Sequence, residues 1–344
     1  MGSNGVLSVP IVDLSAFTSD SDIDLRKRAA KDLAEKVRIN GCVGISGHGL
    51  PSKVLEEAFR VAKRLFDLPY EEKMKAPHPD ASVPHRGYSG TGREKGAAKT
   101  ALENGEEAQK EVSLEPSDYK ESYEIGSEEN KVQYNIWLPE DVFPGFRDFT
   151  TKLYWDLNTT ANAILEALIM SLELTEKESN NIRAIHGGHD NQLRLLHYPS
   201  ISSEVLKKKE IGRLGAHTDW STFTLLFQDA QSGLEFGDRK YGGFMPATPK
   251  EGVLYMNIGD MFQRISNGLY PSSIHRVVIS GKDNGEETPE RYSIPYFVAP
   301  LPDEVIEPQP SLVAALGKQV YEPVTFNSYS EQMFKATNVF DSKN

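Results

Sequence analysis

Residues 215–228 read Gly215-Ala216-His217-Thr218-Asp219-Trp220-Ser221-Thr222-Phe223-Thr224-Leu225-Leu226-Phe227-Gln228, a polar stretch that runs into an apolar, β-rich segment. Comparable runs surround it at Leu193–Tyr198, Val253–Ile258, Ser273–Ile279 and Tyr292–Val298, separated by turns rich in Gly, Asn, Asp and Pro. Short strands at such spacing predict a sandwich, a barrel or a jelly roll. Upstream, Phe146–Leu174 carries Leu153, Leu157, Ala161, Ile164, Leu165, Leu168 and Leu172 at helical spacing, a long helix expected to pack across a sheet. Further back the texture is mixed α/β. Val9–Leu14 and Val43–Ile45 read as strands, and Asp22–Ile39 and Ser52–Phe66 as helices, the second with Ser52 as N-cap. Residues 89–117, rich in Gly, Ala, Glu and Lys, form a long loop and a candidate lid. The expected chain is mainly β with flanking helices: one composite domain over 1–344, with a mixed region 1–190, a catalytic core 191–300 and a C-terminal extension 301–344.

Composition removes several classes of function. Thirty-eight Lys+Arg against 50 Asp+Glu leave a net charge of -12, opposed to the basic surface that nucleic acid requires. The most apolar stretch, Ala161–Leu174, is interrupted by Asn162, Glu166, Ser171 and Glu173, so no membrane span is expected. Met1–Pro10 lacks the basic and apolar regions of a secretion signal, and the expected location is cytoplasmic. The solitary Cys42, in an apolar run, reads as a small buried side chain.

Chemistry concentrates in the β-rich half. In extended chain His217 and Asp219 point to the same side, and His275 offers a third ligand further along. Two His and one carboxylate occupy one face of an octahedron and leave three positions open, as non-haem Fe(II) oxygenases require. Arg291 and Ser293, again two apart on a strand, make a carboxylate receptor: a planar donor fork and one further donor, suited to the distal carboxylate of a dicarboxylic co-substrate. Blander readings exist for both groups, a zinc or metal-free site and a structural ion pair. His186 and His189 flank two glycines and read as a loop; Asp260 reads as part of a turn and His48 as structural.

Ordered motifs along almost the whole chain resemble the isopenicillin N synthase-like branch of the Fe(II)/2-oxoglutarate-dependent oxygenases. They include Val9–Leu14, Gly47–Leu50, Phe66–Lys73, Arg86-Gly87-Tyr88, Asp118–Ser122, Asn135–Pro139, Tyr198-Pro199, His217-Thr218-Asp219, Asn257–Asp260, His275-Arg276-Val277 and Arg291-Tyr292-Ser293. The resemblance implies a double-stranded β-helix (jelly roll) core with N-terminal helical elements. It implies Fe(II) on His217, Asp219 and His275, and 2-oxoglutarate held by Arg291 and Ser293 with Tyr198 positioning it. Leu196 departs from the pattern, standing where plant relatives often carry Asn.

Arg86 and Tyr88 match a segment near the mouth of the fold, and Phe297 keeps the strand face of Ser293; with Trp220 and Phe223 they are the candidate substrate contacts. The implied reaction uses O2 and 2-oxoglutarate to oxidise a small organic molecule by hydroxylation, desaturation, ring expansion or ring closure, as in specialised metabolism. No obligate protein partner is evident. Two alternatives are an isopenicillin N synthase-like oxidase that uses no 2-oxoglutarate and a catalytically silent jelly-roll binding protein.

Overall fold

Runs such as Phe223–Gln228 and Arg291–Val298 are buried almost end to end, so both faces of the sheet they form must be covered. A computed structural model describes residues 8–80, 85–92, 117–202, 211–279 and 287–337, and shows helices on one face and a second sheet on the other. The loop read over 89–117 lies largely outside the described residues.

The N-terminal half contributes β1 (Ile11–Asp13), β2 (Cys42–Ser46), β3 (Gly87–Ser89), β4 (Ser117–Asp118) and β5 (Glu121–Ile125). The next strands are β6 (Gln192–Tyr198), β7 (Ile211–Gly212), β8 (Leu214–His217), β9 (Phe223–Gln228), β10 (Leu234–Gly237) and β11 (Phe244–Pro246). They are followed by β12 (Leu254–Ile258), β13 (His275–Val277), β14 (Arg291–Val298), β15 (Val305–Ile306) and β16 (Val324–Thr325). The large sheet runs β1-β2-β12-β9-β14-β6-β5-β3 and the small one β11-β10-β13-β8; the two are separate sheets, not one closed barrel.

Register determines what each face carries, because residues opposed across an antiparallel pair share a face. Ser293 lies opposite Gln228 on one side and Leu196 on the other, and Phe297 opposite Thr224 and Gln192. Arg291 is opposite Tyr198, and Thr224 opposite Asn257. This face turns to the small sheet, and its apolar members Cys42, Leu196, Tyr198, Leu226 and Tyr255 pack with Leu234, Phe236, Met245 and Val277. The other face, with Leu193, Leu195, Phe223, Leu225, Phe227 and Tyr296, packs on the helices.

The long helix is Phe146–Ser171, ending earlier than its periodicity suggests because Glu173 adopts a left-handed φ of 53°. Leu153, Leu157, Ile164 and Leu168 bury its apolar stripe against the sheet. The helix Ile23–Asn40 starts on Asp22, whose carboxylate accepts from Leu25 N at 2.8 Å. It stops at Gly41, where φ is 70° and a Cβ would sit 2.0 Å from the Pro271 carbonyl oxygen. The helix Ser52–Phe66 forms as expected, but Pro51 holds the N-cap position and no side chain caps it. Ser52 is therefore its first residue and not its cap. Cys42 is fully buried, and burial pushes its thiol up to about 12, away from nucleophilic chemistry.

The core of this fold is testable at Leu157, fully buried between helix and sheet. Leu157→Ala should cost about 2–5 kcal/mol in equilibrium denaturant unfolding, read as a lower midpoint at unchanged slope.

Candidate active site

The pairing of β13 with β8 sets His275 opposite His217, with ring centroids 4.2 Å apart. Asp219 follows β8 by two residues and brings Oδ1 to 3.8 Å from His217 Nε2 and 3.7 Å from His275 Nε2. One ligand atom from each residue thus falls within 4.8 Å of the other two. The remaining polar atoms are tied back. His217 Nδ1 donates to Gly215 O at 2.9 Å and His275 Nδ1 to Ser273 O at 3.1 Å, which leaves both Nε2 lone pairs pointing inward. Asp219 Oδ2 accepts from Thr224 Oγ1 at 2.5 Å and Asn257 Nδ2 at 2.7 Å, leaving Oδ1 for a ligand.

Protonation agrees with ligation. Burial and the neighbouring His275 push the His217 imidazole down to about 4, so it stays in the neutral, ligating form. Burial alone would raise the Asp219 carboxyl, but the two imidazoles and the Thr224 and Asn257 donors outweigh it and hold the carboxyl below its usual range. Two imidazoles and one carboxylate oxygen, converging from one side, fit an Fe(II) ion with open coordination positions.

Arg291, with no exposed surface, lies on the same face of the large sheet. Its Nη2 donates to Gln228 Oε1 at 3.0 Å and its guanidinium sits 5.2 Å from the centre of the Tyr198 ring. Its Nε and Nη1, and the hydroxyl of Ser293, are buried without a hydrogen-bond partner. Buried donors of that kind are costly unless an acceptor completes them, and a carboxylate is the acceptor that matches a guanidinium fork. Leu196, opposite Ser293, makes the adjoining wall apolar.

The five candidate substrate residues separate. Phe297 shares the site face and lies opposite Thr224, which holds Asp219. Arg86 is buried over Gly126, where a Cβ would meet its guanidinium at 2.2 Å, and donates to His85 O. Trp220 is partly buried and packs against the helix-side core. Tyr88 and Phe223 belong to that same core: Tyr88 donates its hydroxyl to Glu121, which also pairs with Lys73 at 2.7 Å, and Phe223 is fully buried. Both stand one residue out of step with the site face, so their side chains point through the sheet to the helices. The structure does not bring these two to the site.

Four residues near the site were not singled out by sequence. Thr224 and Asn257 orient Asp219, and Gln228 orients Arg291. Arg194 stands 6.0 Å from the Phe297 ring and pairs with Glu124 at 2.9 Å. The signal for the first three was their even step along strands already identified. His186 binds Ile182 O and Thr222, and His189 binds Ser127, so those two histidines form no joint site. Asp260 opens the helix Asp260–Ile265 and accepts from Tyr329; its backbone N–H donates to Asp219 O, a support and not a ligand.

A two-sheet jelly roll carrying a His-Asp-His cluster and a buried arginine clamp defines a non-haem iron oxygenase. Comparison with known proteins agrees. Residues 9–140 match the N-terminal family "non-haem dioxygenase in morphine synthesis", and residues 189–300 match the 2OG-Fe(II) oxygenase superfamily. The chain is 33% identical over 312 residues to the 2-oxoglutarate-dependent dioxygenase frbA of Dothideomycetidae sp. (strain 11243), covering 89% of this chain and 90% of that protein. It is 32% identical over 300 residues to the proline hydroxylase buaE of Petromyces alliaceus, covering 86% and 89%. Among solved structures, a full-length Neurospora crassa protein in complex with alpha-KG and thymine superposes with a TM-score of 0.83 at 31% identity, covering 98% of this chain and 99% of that one. The chain belongs to the 2OG-Fe(II) oxygenase superfamily. It is a 2-oxoglutarate-dependent dioxygenase, and this favours 2-oxoglutarate chemistry over the oxidase and the silent binding protein.

The support around Asp219 makes a measurable difference. Asn257→Ala should weaken divalent-metal binding by about 10–100-fold while the protein stays folded, checked by metal titration alongside thermal melting.

Proposed function

We propose that His217, Asp219 and His275 hold Fe(II), and that Arg291 and Ser293 hold the distal carboxylate of 2-oxoglutarate with Tyr198 against its chain. The observation that carries this reading is a shared sheet face: Arg291 and Ser293, with three unpartnered buried donors, stand on the face that bears Thr224 and Asn257, the supports of Asp219 in the three-residue cluster. When bound, the iron and 2-oxoglutarate supply the oxidising power from O2, with succinate and CO2 as co-products. The chain's own residues orient and enclose. Gly215 O and Ser273 O fix the two rings, Thr224 and Asn257 fix the carboxylate, and the apolar wall of Leu196, Leu226 and Phe236 keeps water from the reacting centre.

The substrate in this reading is a small organic molecule seated beside Phe297 and Arg194. The relatives support that size class, one solved with thymine and another named a proline hydroxylase. Hydroxylation of an unactivated C–H bond within specialised metabolism is the reading we favour. In it the chain acts as one composite unit on a small molecule, in the cytoplasm, without an obligate protein partner. No helix among the described residues is long and apolar enough to cross a membrane.

The test is an anaerobic titration of the Fe(II)-loaded protein with 2-oxoglutarate, followed by the weak visible band of a chelated 2-oxo acid. Saturation is expected in the native protein. His217→Ala or Asp219→Ala should abolish the band and turnover together, and unchanged behaviour in either removes the ligand assignment. Arg291→Ala should raise the 2-oxoglutarate requirement by about 100-fold or more, since a desolvated charge pair loses one partner.

A further inference from the structure

Arg213 lies between the two-residue strand β7 and β8, with 3% of its surface exposed. Its guanidinium sits 5.7 Å from the centre of the Tyr198 ring, the ring that Arg291 approaches to 5.2 Å. Nη2 donates to Pro289 O at 2.6 Å, while Nε is buried with no hydrogen-bond partner. Two guanidiniums thus converge on one tyrosine at the end of β14 where Ser293 also points inward. Among the described residues, the carboxylate whose charge reaches both of them is Asp229, but its oxygens accept from the backbone N–H groups of Tyr292 at 2.6 Å and Gln231 at 2.9 Å.

The charge count is unusual for a purely structural arrangement. Among the described residues, two buried cations and one carboxylate leave one positive charge, and a buried like-charge neighbour raises the cost of holding it. Burial and the adjacent Arg291 lower the Arg213 guanidinium to about 10, which still leaves it charged at neutral pH. A neutral side chain could bind the Pro289 carbonyl without that cost. One further carboxylate would bring the chamber to neutrality and give the buried Nε an acceptor.

We propose that Arg213 is a second contact for the distal carboxylate of 2-oxoglutarate, shared with Arg291 and Ser293, and that it makes the site select dicarboxylic over monocarboxylic 2-oxo acids. This rests on the assignment of Arg291 and Ser293 to that carboxylate. Arg213 is a binding residue in this scheme and takes no part in bond making.

The experiment measures affinity in the Fe(II)-loaded protein without O2, from the visible band, for 2-oxoglutarate and for 2-oxopentanoate, which replaces the distal carboxylate by a methyl group. Arg213→Gln should bind 2-oxoglutarate about 10–100-fold more weakly and 2-oxopentanoate within about two-fold of the native protein, as expected for loss of a charge-assisted hydrogen bond. Arg213→Lys should keep most of the preference for the dicarboxylate. Arg213→Met takes the place of the Gln variant if melting without ligand shows that variant unfolded. Native-like 2-oxoglutarate binding in the neutral variants overturns the proposal, and so does equal weakening toward both acids, the mark of a structural role. A native protein that binds the two acids equally would remove the Arg291–Ser293 clamp itself, and this inference with it.

Discussion

The antiparallel pairing of β13 with β8 is the constraint from which the site follows. It sets His275 directly opposite His217, so two imidazoles from distant parts of the chain meet with their rings 4.2 Å apart. Asp219 then needs only to leave the end of β8 in the right direction. The loop after it is held by the Asn257–Asp260 segment: Gly259 N donates to Thr222 O, Asp260 N to Asp219 O and Asn257 Nδ2 to the carboxylate itself. A Cβ at Gly259 would lie 2.1 Å from Ser221 O, so glycine is what allows the two segments to approach this closely. Protein hydrogen bonds to both imidazoles and to the carboxylate hold the cluster, which is the form of preorganisation that a metal centre needs.

The large sheet divides the labour between its faces. Its helix side is a hydrophobic core into which Phe146–Ser171 and the N-terminal helices pack, and this side supplies most of the burial that stabilises the fold. Even there a polar group is satisfied and not wasted: Lys73, Tyr88 and His197 converge on Glu121, in register with Tyr292 of β14. The side facing the small sheet carries Thr224 and Asn257, which support Asp219, together with Arg194, Arg291 and the aromatic walls. Rigid strands hold these groups, so their spacing is inherited from the pleat and does not rely on mobile loops.

Much of the fold was legible in sequence because its decisive elements are strongly patterned. Phe223–Gln228 forms as read, and the runs around Leu193–Tyr198, Val253–Ile258 and Tyr292–Val298 form strands displaced by one residue at their ends. The strands β10 and β11, three or four residues each in turn-rich sequence, carry too little periodicity to read. The His217–Asp219 and Arg291–Ser293 pairs were legible because each sets complementary side chains two residues apart. Thr224 and Gln228 stand at the even step of a strand already identified, but what they orient comes from elsewhere in the chain, and Arg213 lies outside any strand.

Sequence alone determined which residues share a face: alternation along a strand is local, and steric geometry enforces it at every step. It therefore linked Arg291 to Ser293 and Phe297 on β14. Which way each face turns is a property of the packed layers. Only tertiary structure decided that Phe297 looks toward the small sheet while Phe223 and Tyr88 look toward the helices, because parity within one strand carries no information about which layer covers it. The convergence of Arg213 and Arg291 on Tyr198 is of the same kind, a contact among three strands' ends that no spacing in the chain encodes.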